Sequence, residues 1–422
     1  MRVLLVGSGG REHALARSLA RSPHVGDLLW APGNGGASGA IRTAAVRSED
    51  VEGLARLAQE ARADLVVVGP EVPLALGLAD RLQALSIPCF GPVAGAARLE
   101  ASKVFTKEFC RRWSIPTAGG RVFDRAEEAR RYLASYDGPF PLVLKADGLA
   151  AGKGVLLCGD RAEALEAAEA ILVRKDFGDA GNRLLVEEFL EGEEASLLVF
   201  ADGRDYAVMP PARDYKRAED GDRGPNTGGM GAYCPASVLS EGHLREALHT
   251  IVEPALEGIA AEGCPYRGVL YAGLMVTASG PKLLEFNCRF GDPETQVVLP
   301  RLESDLVEVA LACAEGRLGG LEIRWRAEAA VTVVLASRGY PGPYRTGVPI
   351  EGIEEAEALP GVQVYHAGTR RDGDRLVTAG GRVLNVTALA PTVGEARERA
   401  YDAAARIRFE GKTFRTDIAG GP

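Results

Sequence analysis

Lys145-Ala146-Asp147-Gly148-Leu149-Ala150-Ala151-Gly152-Lys153-Gly154-Val155 separates two apolar runs, Leu142–Lys145 and Gly154–Cys158, that read as β-strands. The loop joins strand to strand and lacks the Gly-x4-Gly-Lys-Ser/Thr order, so it is not a P-loop. A loop of small residues between antiparallel strands can fold over a triphosphate, with backbone N–H groups donating and Lys145 and Lys153 supplying charge. Lys145, Gly148, Gly152, Lys153 and Gly154 are its cofactor-facing candidates; a hairpin that holds nothing is the alternative. The chain has only eight lysines, at 103, 107, 145, 153, 175, 216, 282 and 412, and arginine carries the rest of the basic charge. A compact ammonium persisting where arginine is the default fits phosphate binding. The pattern assigns no role to Lys107, Lys175 or Lys412.

Two downstream stretches extend the reading. Leu184–Leu190 is an apolar strand running into acid. Glu187, Glu188, Phe189 and Leu190 can line an adenine slot whose backbone reads the base edge, and Glu194 beyond them can bond ribose hydroxyls. The strand Leu283–Phe286 leads into Asn287-Cys288-Arg289-Phe290-Gly291-Asp292-Pro293-Glu294. Positions 285, 287 and 289 of a strand share one face. Glu285 and Asn287 are hard oxygen ligands suited to Mg²⁺ on ATP phosphates. Arg289 can neutralise a transferring phosphate or clamp a carboxylate. A solvent-facing polar strand face is the bland alternative.

Upstream, the strands Val3–Gly7, Leu28–Ala31 and Leu65–Gly69 alternate with the helices Arg11–Arg21, Val51–Ala61 and Leu74–Leu85. That alternation predicts a doubly wound parallel α/β domain ending at Gly91-Pro92. Gly7-Ser8-Gly9-Gly10-Arg11-Glu12-His13 joins the first strand to a helix N-terminus, an anion site by its N–H groups and dipole. A dinucleotide fingerprint needs glycine at position 12; Glu12 stands there. A site for one phosphate or phosphoribosyl group built on Gly9, Gly10, Arg11 and Glu12 is the preferred reading, and a mere tight turn the alternative. Gly69-Pro70-Glu71 ends the third strand, where Glu71 can meet a ribose hydroxyl or an amine.

The second unit continues with the helices Lys103–Trp113, Ala162–Arg174, Leu244–Ala261 and Ser304–Glu315 and the strands Gly268–Val276 and Lys282–Phe286. Residues 213–235 read as a long ordered loop. The strands Ala330–Ala336, Val362–Ala367 and Arg382–Leu389 and a helix over Val393–Ile407 predict a small C-terminal α+β domain, with Ala419–Pro422 frayed. The 422-residue chain is therefore α/β and α+β multidomain, divided near 1–100, 101–320 (with a lid at about 115–190) and 325–422. A net charge of −9 argues against nonspecific nucleic-acid binding. No apolar run reaches membrane-spanning length, no signal peptide is visible, and seven scattered cysteines without a CxxC pair fit a reducing cytoplasm.

These stretches together resemble the ATP-grasp ligases, and within them the glycinamide ribonucleotide synthetase (phosphoribosylamine–glycine ligase) family. The matching segments are Gly9–Ala14, Ala31-Pro32-Gly33-Asn34, Val68–Glu71, Lys145–Gly154, Gly224-Pro225-Asn226-Thr227-Gly228-Gly229-Met230-Gly231 and Arg289–Glu294. The resemblance implies a four-part fold: N-terminal domain, lid, ATP-grasp core and C-terminal domain. It implies ATP between lid and core, on Lys103, Lys145, Gly148–Gly154, Glu187–Leu190 and Glu194, with Mg²⁺ or Mn²⁺ on Glu285 and Asn287. It further implies glycine and 5-phosphoribosylamine as small-molecule substrates, joined through a glycyl phosphate, in a cytoplasmic monomer of purine biosynthesis. Asn226, Thr227, Gly228, Gly229, Arg289 and Asp292 then face substrate, and Asp214, Lys216 and Arg289 are the catalytic candidates. Two features depart from the family. The strand Val269–Met275 carries no acidic metal ligand, and the usual Asp-His-Lys-Arg is Asp214-Tyr215-Lys216-Arg217, so no catalytic histidine is implied there. Rival readings are another ATP-grasp ligase or carboxylase of purine metabolism, and a nonenzymatic nucleotide sensor.

Overall fold

The computed structural model describes residues 1–39, 41–149 and 154–420, so the expected ligands Gly152 and Lys153 lie outside the described residues. The first hundred residues form a parallel sheet in the order Ile41–Thr43, Asp27–Pro32, Arg2–Gly7, Leu65–Val68, Cys89–Phe90. Val3–Val6 and Leu65–Val68 are at most 4% exposed, as continuous apolar strands of a sheet covered on both faces must be. Strand order reverses between Arg2–Gly7 and Leu65–Val68, so the loops after them open onto one crevice at the topological switch point. The outer strands Ile41–Thr43 and Cys89–Phe90 are too short to show a period in sequence. The helix expected over Leu74–Leu85 is two, Glu71–Ala75 and Leu78–Ala84, because Gly77 at φ 88° turns left-handed between them.

Two four-stranded antiparallel sheets follow. The lid sheet runs Gly120–Phe123, Leu184–Glu188, Leu142–Ala146, Val155–Cys158. Its helices Ala126–Ala134 and Arg161–Leu172 bury their alanine and leucine stripes against it. The core sheet runs Tyr206–Val208, Glu193–Asp202, Arg267–Thr277, Gly280–Asn287. The helix Lys103–Arg112 starts at the Ser102 cap, whose hydroxyl accepts from Phe105 N. The helix expected over Leu244–Ala261 instead starts at Glu241 and widens into a π turn at Leu248–Val252, just before Pro254. Proline has no N–H to return to the preceding turn.

The third sheet corrects the sequence reading of residues 213–235. Instead of a loop they form short strands, and two of these, Arg213–Asp214 and Gly231–Cys234, lead a sheet that continues through Ala329–Ser337, Arg382–Ala390 and Val362–His366, with Lys412–Thr413 pairing the end of Ala329–Ser337. The partner of Gly231–Cys234 lies about a hundred residues on, so no local pattern announces the pairing. The helix Val393–Arg406 covers this sheet. Tyr215 points into its core, with the Arg415 guanidinium 4.9 Å from its ring, and its hydroxyl accepts from Ala419 N at 3.0 Å. Ala419 and Gly420 are thereby tied down rather than frayed. No helix among the described residues is long and apolar enough to cross a membrane.

His13 and His366 join the first and third sheets. His366 N donates to His13 Nδ1 at 2.7 Å, and Asn34 Nδ2 donates to His366 O at 2.7 Å and Ser8 O at 2.8 Å. Burial lowers both pKa values, that of His366 to about 4. Both imidazoles are neutral at pH 7, which keeps His13 Nδ1 free to accept. An unfolded chain takes up protons near pH 6.5 that the native pair refuses, so stability is full above about 6.5 and is lost as pH falls toward 4, by up to about 1.4 kcal/mol per pH unit for each histidine. Replacing His13 with Asn, which still accepts but does not titrate, should flatten this slope. Thermal melts of parent and variant from pH 7.5 to 4 measure it; parallel slopes would refute the assignment.

Candidate active site

The cleft between lid and core is lined by lysines held by carboxylates and carbonyls. Lys145 Nζ, at the end of a lid strand, donates to Glu187 Oε2 at 2.6 Å and to Leu284 O of the core at 3.2 Å. Lys103 Nζ donates to Gly148 O at 2.9 Å. Asp147 accepts from Ser102 Oγ and Val104 N, so the start of the glycine loop is fastened to the helix that carries Lys103. Burial works to raise the pKa of Glu187, but Lys145 and Lys107 on either side hold it below the usual carboxylate range. Glu188 accepts from Gly119 N at 2.8 Å, while Phe189 is exposed. Leu190 packs with Ala118, Met275 and Leu284 into a small apolar wall where lid meets core.

Facing this wall, Glu285 and Asn287 pair across the core sheet with Gly273 and Tyr271. Leu284 is left unpaired by a register shift, which bends the strand before its polar end. Glu285 is kept ionised despite burial by Lys216, Lys145 and Lys103. Asn287 Oδ1 accepts from Arg289 Nη2 at 3.0 Å. Arg289 lies just past the strand, yet its guanidinium reaches Glu100 at 2.8 Å and Glu71 at 3.4 Å. Glu71 stays below the usual range beside Arg289 and Arg11, whereas burial lifts Glu100 to about 7. Lys216 Nζ is 2.7 Å from Glu194 Oε2 and 4.0 Å from Asp214 Oδ1. Burial, with Glu294, Glu194 and Glu285 nearby, pushes Asp214 up to about 8 against the pull of Lys216. Among the described residues no three His, Cys, Asp or Glu side chains converge as a metal cage.

The N-terminal loop closes the far end. Glu12 is 2% exposed, and its oxygens take Gly9 N and Arg11 Nε, each at 2.5 Å. A Cβ on Gly69 would lie 2.2 Å from Glu12 Oε1, and one on Gly7 2.5 Å from its Cγ. Glu12, expected among the ligand contacts, is thus an internal brace across both glycines. Arg11 is also buried and donates from Nη1 to Phe290 O at 3.0 Å. Opposite, Gly228 N donates to Tyr340 Oη, and Arg382 Nη1 donates to Gly228 O. Arg382 Nη2 meets Asp292 Oδ2 at 3.0 Å. Thr227 is fastened to Lys216 O through both its N–H and its hydroxyl, and Asn226 is exposed.

The structure therefore gathers Lys103, Lys145, Glu187, Glu194, Asp214, Lys216, Glu285, Asn287 and Arg289 along one cleft, with Glu71 and Asp292 at its end. The sequence reading missed Lys107, Glu100, Glu294 and Arg382. Glu294, whose Oε1 accepts from Tyr271 Oη at 2.6 Å and Ser196 Oγ at 3.1 Å, lay within a quoted motif and was findable. Glu100 and Arg382 stand in ordinary helix and strand patterns that carry no cue.

Two lid strands joined through a glycine-rich segment, with Lys145 of the lid reaching Leu284 O on a core strand that ends in Glu-x-Asn, define an ATP-grasp protein. Residues 1–100, 101–295 and 330–421 match the N, ATP-grasp (A) and C domains described for phosphoribosylglycinamide synthetase. The chain belongs to the phosphoribosylglycinamide synthetase family. It is 53% identical to a phosphoribosylamine–glycine ligase of Caulobacter vibrioides over 99% of this chain and 97% of that protein. It is 50% identical to the human trifunctional purine biosynthetic protein adenosine-3 over 99% of this chain and 41% of that longer protein. The crystal structure of phosphoribosylamine–glycine ligase from Thermotoga maritima matches with a TM-score of 0.86 at 35% identity, covering 99% of this chain and 100% of that one.

Proposed function

We propose that the chain catalyses ATP-dependent ligation of glycine to 5-phosphoribosylamine, giving glycinamide ribonucleotide, ADP and phosphate for purine synthesis. The observation that carries the reading is Arg289, set among Glu71, Glu100 and Asn287 where the phosphate-facing and amine-facing ends of the cleft meet. Full-length identity of about half to ligases of that name supports it. The chain is read as a cytoplasmic monomer divided at 1–100, 101–320 and 325–422, with a lid at about 115–190, in line with its separate sheets and free cysteines.

A carboxylate does not condense with an amine until an oxygen becomes a leaving group. A glycine carboxylate oxygen attacks the γ-phosphorus of ATP, ADP departs, and glycyl phosphate forms. The amine of phosphoribosylamine then attacks the acyl carbon; phosphate leaves and the amine sheds its proton. Lys103 and Lys145 hold the triphosphate, and Arg289 neutralises the transferring group. Lys216 and the largely protonated Asp214 orient glycine without adding a further anion beside the phosphates. Gly9, Gly10, Arg11, Pro70, Glu71 and Asp292 receive the phosphoribosyl amine. Glu285 and Asn287 fit a hard divalent cation, since one is kept ionised by lysines and the other offers an amide oxygen two residues on along the same strand face. Mg²⁺ or Mn²⁺ held there would supply charge neutralisation of the β- and γ-oxygens. Closure of the lid keeps water from the acyl phosphate.

ADP release with ATP, glycine, phosphoribosylamine and Mg²⁺ each withheld in turn tests the assignment. Appreciable ADP is expected only with all four, and equal turnover with another amino acid or with bicarbonate would overturn it. Glu285→Ala should lower kcat by roughly 10²–10⁴, the scale of one lost electrostatic stabiliser, with a smaller loss of nucleotide affinity and a modest fall in melting temperature, because three lysines lose their shared carboxylate. Near-normal kcat at saturating Mg²⁺ would move the metal elsewhere. Arg11→Ala should raise KM for phosphoribosylamine far more than for ATP, with some loss of thermal stability because Arg11 also braces Glu12. Equal KM values for phosphoribosylamine would remove Arg11 from the substrate site.

A further inference from the structure

We propose that Lys107 is a positioning residue of the nucleotide site: by sharing the Glu187 carboxylate, it leaves Lys145 with charge to offer the triphosphate. The inference rests on the placement of nucleotide between lid and core.

Lys107 lies on the helix Lys103–Arg112, one turn past Lys103. Glu187 is 4% exposed and is gripped from two sides, by Lys107 on Oε1 and by Lys145 on Oε2 at 2.6 Å. The other bonds of the Lys107 ammonium go to Ala118 O at 2.6 Å and Thr117 Oγ1 at 3.1 Å. Thr117 Oγ1 donates onward to Leu283 O at 2.8 Å. Three bonds use all three hydrogens of an ammonium, so Lys107 has none left for a ligand and can act only through its neighbours. Two of its partners, Thr117 and Ala118, sit where the chain enters the lid and the third, Glu187, on a returning lid strand, while Thr117 passes the contact on to the core strand that carries Glu285. Only a tetrahedral donor reaches all three directions; the planar fork of arginine does not. That accounts for a lysine here in a chain that otherwise uses arginine.

The charge count gives the functional consequence. Two ammoniums against one buried carboxylate leave a net charge of about +1 at the mouth of the glycine loop. Without Lys107, Glu187 and Lys145 would neutralise each other. Lys145 would also be drawn more fully onto Glu187, away from the phosphates.

The test is steady-state kinetics with nucleotide-binding measurements on Lys107→Met, Glu187→Gln, the two together, and Lys145→Met. Lys107→Met should raise KM for ATP about ten- to hundredfold, the scale of one charge-assisted hydrogen bond, while KM for glycine stays within about twofold. Once the carboxylate is gone nothing neutralises Lys145, so adding Lys107→Met to Glu187→Gln should raise KM for ATP by no more than about twofold. A residue that merely supports the lid would cost as much in either background. An ATP KM within about twofold of the parent in Lys107→Met, or the same loss in both backgrounds, would overturn the proposal. Should Lys107→Met not fold, the comparison of Glu187→Gln with and without Lys107→Met decides alone, a further loss above about fivefold overturning the proposal. If Lys145→Met leaves nucleotide affinity unchanged, the nucleotide placement falls and takes the proposal with it. If Lys145→Met weakens nucleotide and Lys107→Met does not, only the proposal falls.

Discussion

The guanidinium of Arg289 lies between Glu100 and Glu71 of the N-terminal segment and the amide oxygen of Asn287 at the end of the core sheet. Taking these charges out of water costs several kcal/mol per ion, and only close, well-directed partners offset it. Arg289 has them at Glu100 and Asn287, while its Nε, 3.4 Å from Glu71, makes no hydrogen bond, and its proton is held more tightly than in water by Glu100 and Glu71. The arrangement fixes how the parallel sheet sits on the antiparallel one. If it shifted, two buried carboxylates would face each other unscreened. The crevice at the parallel sheet's switch point therefore opens onto the cleft between lid and core.

Charge in that cleft is balanced for a polyanion that arrives and leaves. Lys103 is disfavoured by burial and by Lys145, yet Glu285 and Asp147 work to keep it charged. Glu285 is in turn ionised because three lysines surround it. The four acids around Lys216 cannot all ionise together, and Asp214 yields, taking a proton near neutrality. Burial raises the free energy of each charge, and the interleaved lysines and acids along the cleft are complementary to a ligand with both anionic phosphates and a cation. A magnesium nucleotide has that composition.

Much of this was legible in sequence because it depends on local order. The parallel sheet shows as alternating apolar runs and helices. The lysine loop shows as a glycine-rich break between strands, and the acid–amide end of the core strand as Glu285 and Asn287 spaced two apart. What stayed hidden depends on contacts between distant residues. Nothing near Gly231–Cys234 says that its partner is Ala330–Val333. In sequence Glu12 groups with Gly9, Gly10 and Arg11 as part of one anion-binding loop; only the packing of Gly7 and Gly69 against its side chain shows it as a brace. Lys107 looked incidental because its significance lies in Glu187, eighty residues on.

The strands hidden in residues 213–235 also explain how the last third of the chain bears on chemistry it does not perform. Asp214 and Lys216 flank Tyr215, and alternation along extended backbone sends the two chemical side chains to one face and the tyrosine to the other. The tyrosine face is anchored in the C-terminal sheet by Arg415 and the Ala419 N–H. The glycine turn that follows is held from the same side: Arg382 takes Gly228 O, and Tyr340 accepts from Gly228 N. Gly229, at φ 105°, lies so close to Pro293 that a Cβ would approach its ring to 2.4 Å. Any side chain there would push the turn off Asp292, and with it the contact between Asp292 and Arg382. The C-terminal sheet thus sets the depth at which Lys216 and Asp214 stand over the cleft. A histidine at position 215 is not required for that, since the position faces the sheet and not the substrates.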